Sequence, residues 1–153
     1  MLITVHGAVG ALIGENVNST LWAFVLSFVI HFAMDMIPHG DKYQVAYFKK
    51  EKKLNKIVNL VIVDACLGFI FLTFYMSNVK ATGLNMAPII AGIIGGILPD
   101  FLVAIYNLQK KYFFRLNYVH HRIHQLIKFD IPFKLAFVLQ MALLGVIWNL
   151  YKF

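Results

Sequence analysis

Long apolar runs constrain this chain more than any other feature. Residues 57–76, 86–106 and 131–150 each continue for about the 20 residues that a helix needs to cross a bilayer core, with few charges to interrupt them. A fourth run, 21–37, ends at Pro38 and Gly40, and a shorter one, 2–13, is broken by Gly7 and Gly10. Soluble domains average roughly 25% charged and 45–50% apolar residues. Here the figures are 14% and 60%, with a mean hydropathy of +0.72. A chain of 153 residues has too little interior to hide that surface from water. Soluble globular, disordered and coiled-coil classes are thereby excluded, and a single cysteine, Cys66, excludes a disulfide scaffold. The expectation is an all-α, polytopic membrane helix bundle: one integral membrane domain over 1–153 with four to five spans and short loops. Cys66 reads as a small buried hydrophobe.

The excess of positive charge, +7 with a pI near 9.6, would suggest nucleic acid on a soluble domain. In a membrane protein it reports orientation first, because cytoplasmic loops collect Lys and Arg. Segment 41–56 carries Lys42, Lys49, Lys50, Lys52, Lys53 and Lys56, and segment 107–134 carries Lys110, Lys111, Arg115, Arg122, Lys128 and Lys134. Of the 14 basic residues only Lys80 and Lys152 lie elsewhere. Two spans separate the two segments, so both face one side, and the positive-inside rule makes that side cytoplasmic, with the N-terminus on it too. No nucleic-acid partner is expected. No cleavable signal is expected either, since a basic n-region is missing. The plasma (inner) membrane is the expected location, with 107–130 supplying a cytoplasmic amphipathic helical segment.

Ionisable residues within spans are costly and mark function by default. His31, Asp35 and His39 recur at intervals of four, which keeps them on one helix face, at the cytoplasmic end of their span. His6 lies at the same end of the first segment, Asp64 about two turns into the third span, and Asp100 in the cytoplasmic half of the fourth. His120, His121 and His124 fall in the second basic segment. Orientation was read from Lys and Arg alone, yet all six histidines and three aspartates gather at that same membrane face. His and Asp are the ligand types that zinc and related transition metals take. A His-x-x-x-Asp pair presents both ligands one turn apart, and other helices must supply the rest: Asp100, His6 and the 120–124 cluster are the candidates.

Simpler readings stand beside this one. His6 suits a hydrogen-bonding interfacial histidine, Asp64 a bond to a neighbouring helix, and His120-His121 a contact with lipid phosphates. The small-residue run 91–96 reads as a helix-packing face. Segments 23–39 and 84–100 also share an ending, Ile37-Pro38-His39 and Leu98-Pro99-Asp100, and two such half-units facing each other would bring His39 towards Asp100.

The segment from His31 through Asp35 to Pro38-His39-Gly40 resembles the His-x-x-x-Asp motif of a family of small inner-membrane metal-dependent hydrolases. Leu98-Pro99-Asp100 is similar to its Leu-Pro-Asp motif, His121-Arg122-x-His124 to a shortened form of its His-Arg motif, and His6 to its N-terminal histidine. That family is related to the zinc-dependent phospholipase C and single-strand nuclease superfamily, all-helical proteins that hydrolyse phosphate esters. The resemblance implies a zinc-type metal site built from His6, His31, Asp35, His39, Asp100, His121 and His124. In it His31, Asp35, His39 and Asp100 are the core ligands, and His6, His121 and His124 complete a second ion or act as general acid or base. It implies a lipid-like phosphate ester as substrate, with Lys42 and Arg122 attracting an anionic phospholipid head group. The chain departs from the family pattern after Asp100, where Phe101-Leu102-Val103 replaces a second acidic residue. Two other functions therefore stay open: a membrane scaffold with a metal but no catalysis, and a metal-ion or proton transporter, which would need ligands along a path across the bilayer.

Overall fold

A computed structural model describes residues 1–40 and 54–151. The described residues form six helices and no strand: α1 (Ile3–Asn16), α2 (Thr20–Asp35), α3 (Leu54–Thr82), α4 (Met86–Gln109), α5 (Phe114–His124) and α6 (Phe133–Leu150). An all-helical bundle is thus what the long apolar runs predicted. Three helices are long and apolar enough to cross a membrane, at Val58–Thr82, Met86–Gln109 and Phe133–Leu150. The other two apolar helices, α1 and α2, have 14 and 16 residues. At 1.5 Å per residue they reach only about 21–24 Å, short of a hydrocarbon core of about 30 Å.

Local chemistry sets most of the helix ends. Ser19 caps α2 by accepting from the Trp22 amide, and Asn85 caps α4 by accepting from Ala87. The third span runs further than its apolar stretch predicts. Segment 77–85 reads as a loop in sequence, yet Ser77 and Asn78 return their side-chain hydrogen bonds to the carbonyls of Thr73 and Phe74. Their polar groups are satisfied within the helix, which continues until Gly83 adopts a left-handed φ of 72°.

Two helices form the centre. α4 packs along both α1 and α2, and α1 also touches α3 and α6. The small-residue run on α4 is the reason for the close approach. A methyl group on Gly92 would strike the Gly10 carbonyl, one on Gly95 the Phe24 carbonyl, and one on Gly96 the His6 carbonyl. These residues therefore serve as the packing face that their composition suggests.

The distribution of polarity is the reverse of a soluble protein's. Thr4, His6, Ser27, His31, Asp35, Asp64, His120 and Gln140 are buried, while Trp22, Val29, Phe69, Phe74, Phe101 and Val138 are exposed. Cys66 is exposed as well, which corrects its reading as a buried hydrophobe: it sits on the outer, lipid-compatible face of α3, where an apolar run carries no information about facing.

Candidate metal centre

The polar residues collect at one end of the bundle, where α1 and α6 begin, α2 ends, and α3 and α4 pass. α2 supplies the foundation. His31 and Asp35, one turn apart, are both buried, and the His31 Nε2 lies 3.1 Å from Asp35 Oδ2. The other ring nitrogen of His31, Nδ1, lies 2.7 Å from the Gly96 carbonyl. A carbonyl can only accept, so Nδ1 carries the proton and the Nε2 lone pair is left facing inward. This is the arrangement by which metal-binding histidines are oriented. Beyond the helix end, His39 Nδ1 is fixed in the same way on the Ile37 carbonyl at 2.7 Å. The turn that places it is held by the Gly40 amide, which donates to Asp130 Oδ1 at 2.8 Å.

α5 closes the site. Its His120 Nε2 lies 3.0 Å from Asp35 Oδ2, 3.2 Å from Asp100 Oδ1 and 3.3 Å from His31 Nε2. One turn later, His124 Nε2 lies 3.0 Å from the same Asp35 oxygen. Two ligand groups result, one of His31, Asp35, Asp100 and His120, the other of Asp35, His39 and His124, and within each the donor atoms lie within 4.8 Å of one another. Asp35 belongs to both. No protein-family model matches this chain, and no match was found among curated proteins or solved structures. The site is therefore judged on its own geometry.

That geometry fits a cation. Three imidazole nitrogens approach Asp35 Oδ2 to 3.0–3.1 Å, yet none of them aims a hydrogen bond at it. A buried carboxylate oxygen without a donor is expensive, and nitrogen lone pairs facing carboxylates at this range repel unless positive charge lies among them. His120 responds accordingly. Burial alone would lower its pKa, but Asp100 and then Asp35 outweigh that and the imidazole is pushed up to about 9. A divalent ion with His and Asp ligands would supply positive charge at the same place, and zinc and its neighbours in the transition series suit that donor set.

The remaining candidates sit around this core. His6 is buried, with Nε2 3.1 Å from Asp35 Oδ1 and its ring stacked on His31 at 4.0 Å, and it belongs to neither ligand group. His121 is exposed on the outer side of α5, where its Nε2 accepts from the Gln125 side-chain amide at 2.7 Å. Asp64 bonds a neighbouring helix: its carboxylate accepts from the Ile3 amide at 2.6 Å, the Thr4 amide at 3.2 Å and the Thr4 hydroxyl at 2.7 Å. It caps α1 from across the bundle, satisfying amides that a helix start leaves open. His39 and Asp100 fall in different groups, joined through Asp35. Sequence reasoning left His120 undecided, although its spacing from His124 already put both on one helix face. Lys42, Lys49, Lys50, Lys52 and Lys53 lie outside the described residues.

Proposed function

We propose that the protein is a membrane-embedded, metal-dependent hydrolase acting on a lipid-like phosphate ester at the cytoplasmic membrane interface, a member of the inner-membrane hydrolase family that its motifs resemble. The observation that carries this reading is the pair of His/Asp groups sharing Asp35. A shared carboxylate suits two neighbouring divalent ions. Such ions, zinc being the candidate, lower the pKa of a bound water and polarise a phosphoryl oxygen. His31, Asp35, Asp100 and His120 would hold one ion, and Asp35, His39 and His124 the other. The chain's own part is to orient those ligands through Gly96 and Ile37, to keep water from the inner side of the site, and to leave access past Asp100. Its side chain is 22% exposed against 1% for Asp35.

Depth and charge favour a lipid. Asp100 precedes the end of α4 by nine residues, about 14 Å along the axis, within reach of a head group. Lys110, Lys111, Arg115, Arg122, Lys128 and Lys134 belong to the same end of the bundle, with Lys80 at the other. The positive-inside rule makes the site end cytoplasmic, and the same cations would attract an anionic phospholipid. In a reading with four or five crossings, α1 and α2 enter the bilayer from this end despite their length.

A second reading, a scaffold with a structural metal, is favoured by how little of the site is open: only Asp100 among the ligands of the first group has an appreciably exposed side chain. Turnover decides between them. Protein reconstituted in phosphatidylcholine–phosphatidylglycerol vesicles and loaded with zinc is expected to release phosphate-containing product from a panel of phosphomonoesters and phosphodiesters. A chelator should abolish this, and Asp100→Asn should reduce it at least about 100-fold. Stoichiometric zinc without turnover would favour the scaffold, and zinc flux into the vesicles would favour transport.

A further inference from the structure

His6 stands apart from the ligand groups although it is among the most deeply buried side chains of the site. Its Nε2 meets Asp35 Oδ1 at 3.1 Å, whereas His31, His120 and His124 all converge on Oδ2. The two oxygens of one carboxylate are therefore divided between different tasks. No third His, Asp, Glu or Cys among the described residues joins His6 and Asp35 to make a ligand group on the Oδ1 side. The nitrogen of Met1 is the other group near Oδ1, at 3.2 Å. His6 Nδ1 finds no hydrogen-bond partner among the described residues, so the polar interaction of this ring is spent on Asp35. Its place is tightly set: the His6 carbonyl abuts Gly96, whose own carbonyl accepts from His31, and the two imidazoles stack at 4.0 Å.

We infer that His6 is a positioning residue and not a metal ligand: its Nε2–H donates to Asp35 Oδ1 and so turns Oδ2 of this shared carboxylate towards the ions of the two groups. The inference rests on the metal-centre reading above. Outer hydrogen bonds of this kind tune affinity without changing the number of ions held.

The test is a zinc titration of the purified, metal-stripped protein in detergent, against a competing chelator, for wild type, His6→Ala and His6→Gln, with cobalt(II) absorption spectra recorded in parallel. Gln places an amide nitrogen close to where Nε2 lies. His6→Ala is expected to bind as many ions as wild type with affinity weaker by about 10–100-fold, and His6→Gln to return within about threefold of wild type. The cobalt spectrum of His6→Gln should match that of wild type, since no ligand has changed. Loss of one ion from both variants would make His6 a ligand and overturn the inference. Unchanged affinity in His6→Ala, or a His6→Gln that binds as weakly as His6→Ala, would overturn it too. Wild type that binds no metal at all would instead overturn the metal-centre reading and this inference with it.

Discussion

At the residue scale, two aspartates of similar burial do different work, and they can be separated experimentally. Asp64 accepts three hydrogen bonds from the start of α1. Asp64→Ala leaves two amides without an acceptor in a water-poor interior and is expected to lower stability by about 1–3 kcal/mol, read as a reduced melting temperature. Metal stoichiometry should stay at the wild-type value, and its loss would place Asp64 in the centre. His120 gives a pH prediction. Its folded-state pKa is raised to about 9 by the two carboxylates acting against burial, so near neutral pH it holds a proton that a metal must displace. Zinc affinity should therefore rise with pH through the neutral range and level off above about 9, as potentiometric or chelator titrations would show. An affinity independent of pH would contradict His120 as a ligand. Much of this was legible beforehand, because His31 and Asp35 are one turn apart and Asp100 follows a proline near a span's end. What spacing could not convey is which ring nitrogen is occupied. His6 and His31 are both buried imidazoles near Asp35, and only the Gly96 carbonyl on one and the lone Asp35 bond on the other separate their roles.

At the scale of elements, α5 has the smallest buried face. His120 is its one buried residue, and non-glycine residues in left-handed conformation, Lys110 and Phe113, bound the turn that leads into it. Its inward face offers His120 to one ligand group and His124 to the other. Metal loading should therefore slow amide hydrogen exchange across 114–124 by at least about tenfold, and equal exchange with and without zinc would sink the idea of α5 as a metal-held clasp. The α1–α4 contact is of another kind, backbone against backbone. Gly92→Ala forces the helices apart at Gly10 and should destabilise by about 1–3 kcal/mol, with Gly145→Ala, which meets open space, as the neutral comparison. Helix–helix proximity of this type was readable as a small-residue run, whereas the partner helix was not: Gly92 meets α1 and Gly95 meets α2. The end of α3 at Thr82 escaped a hydropathy reading because Ser77 and Asn78 satisfy themselves within the helix.

At the scale of the molecule, polarity turned inward and apolar side chains turned outward agree with the composition: this is a protein built for lipid. Its orientation can be tested with cysteines in a Cys66→Ala background. Lys80→Cys should react with an impermeant maleimide only from the periplasmic side of intact cells, and Arg115→Cys only in inverted vesicles. The reverse pattern would put the metal centre on the outer face and remove the argument for a cytoplasmic substrate. Composition sufficed to predict apolar helices that face outward, since lipid solvation acts on whole segments. The joining of two ligand groups through Asp35 did not follow from it, because it depends on the docking of α5 against α2 and α4.

That joining is the central claim, and metal content per chain tests it most directly. Wild type and Asp35→Asn, loaded with zinc, desalted and measured by inductively coupled plasma mass spectrometry, should differ completely. Wild type is expected to retain stoichiometric zinc, and Asp35→Asn, which keeps the side-chain shape and is expected to keep the helical circular dichroism, is expected to lose it from both groups at once. Wild type without zinc, or Asp35→Asn with its zinc intact, would contradict the account.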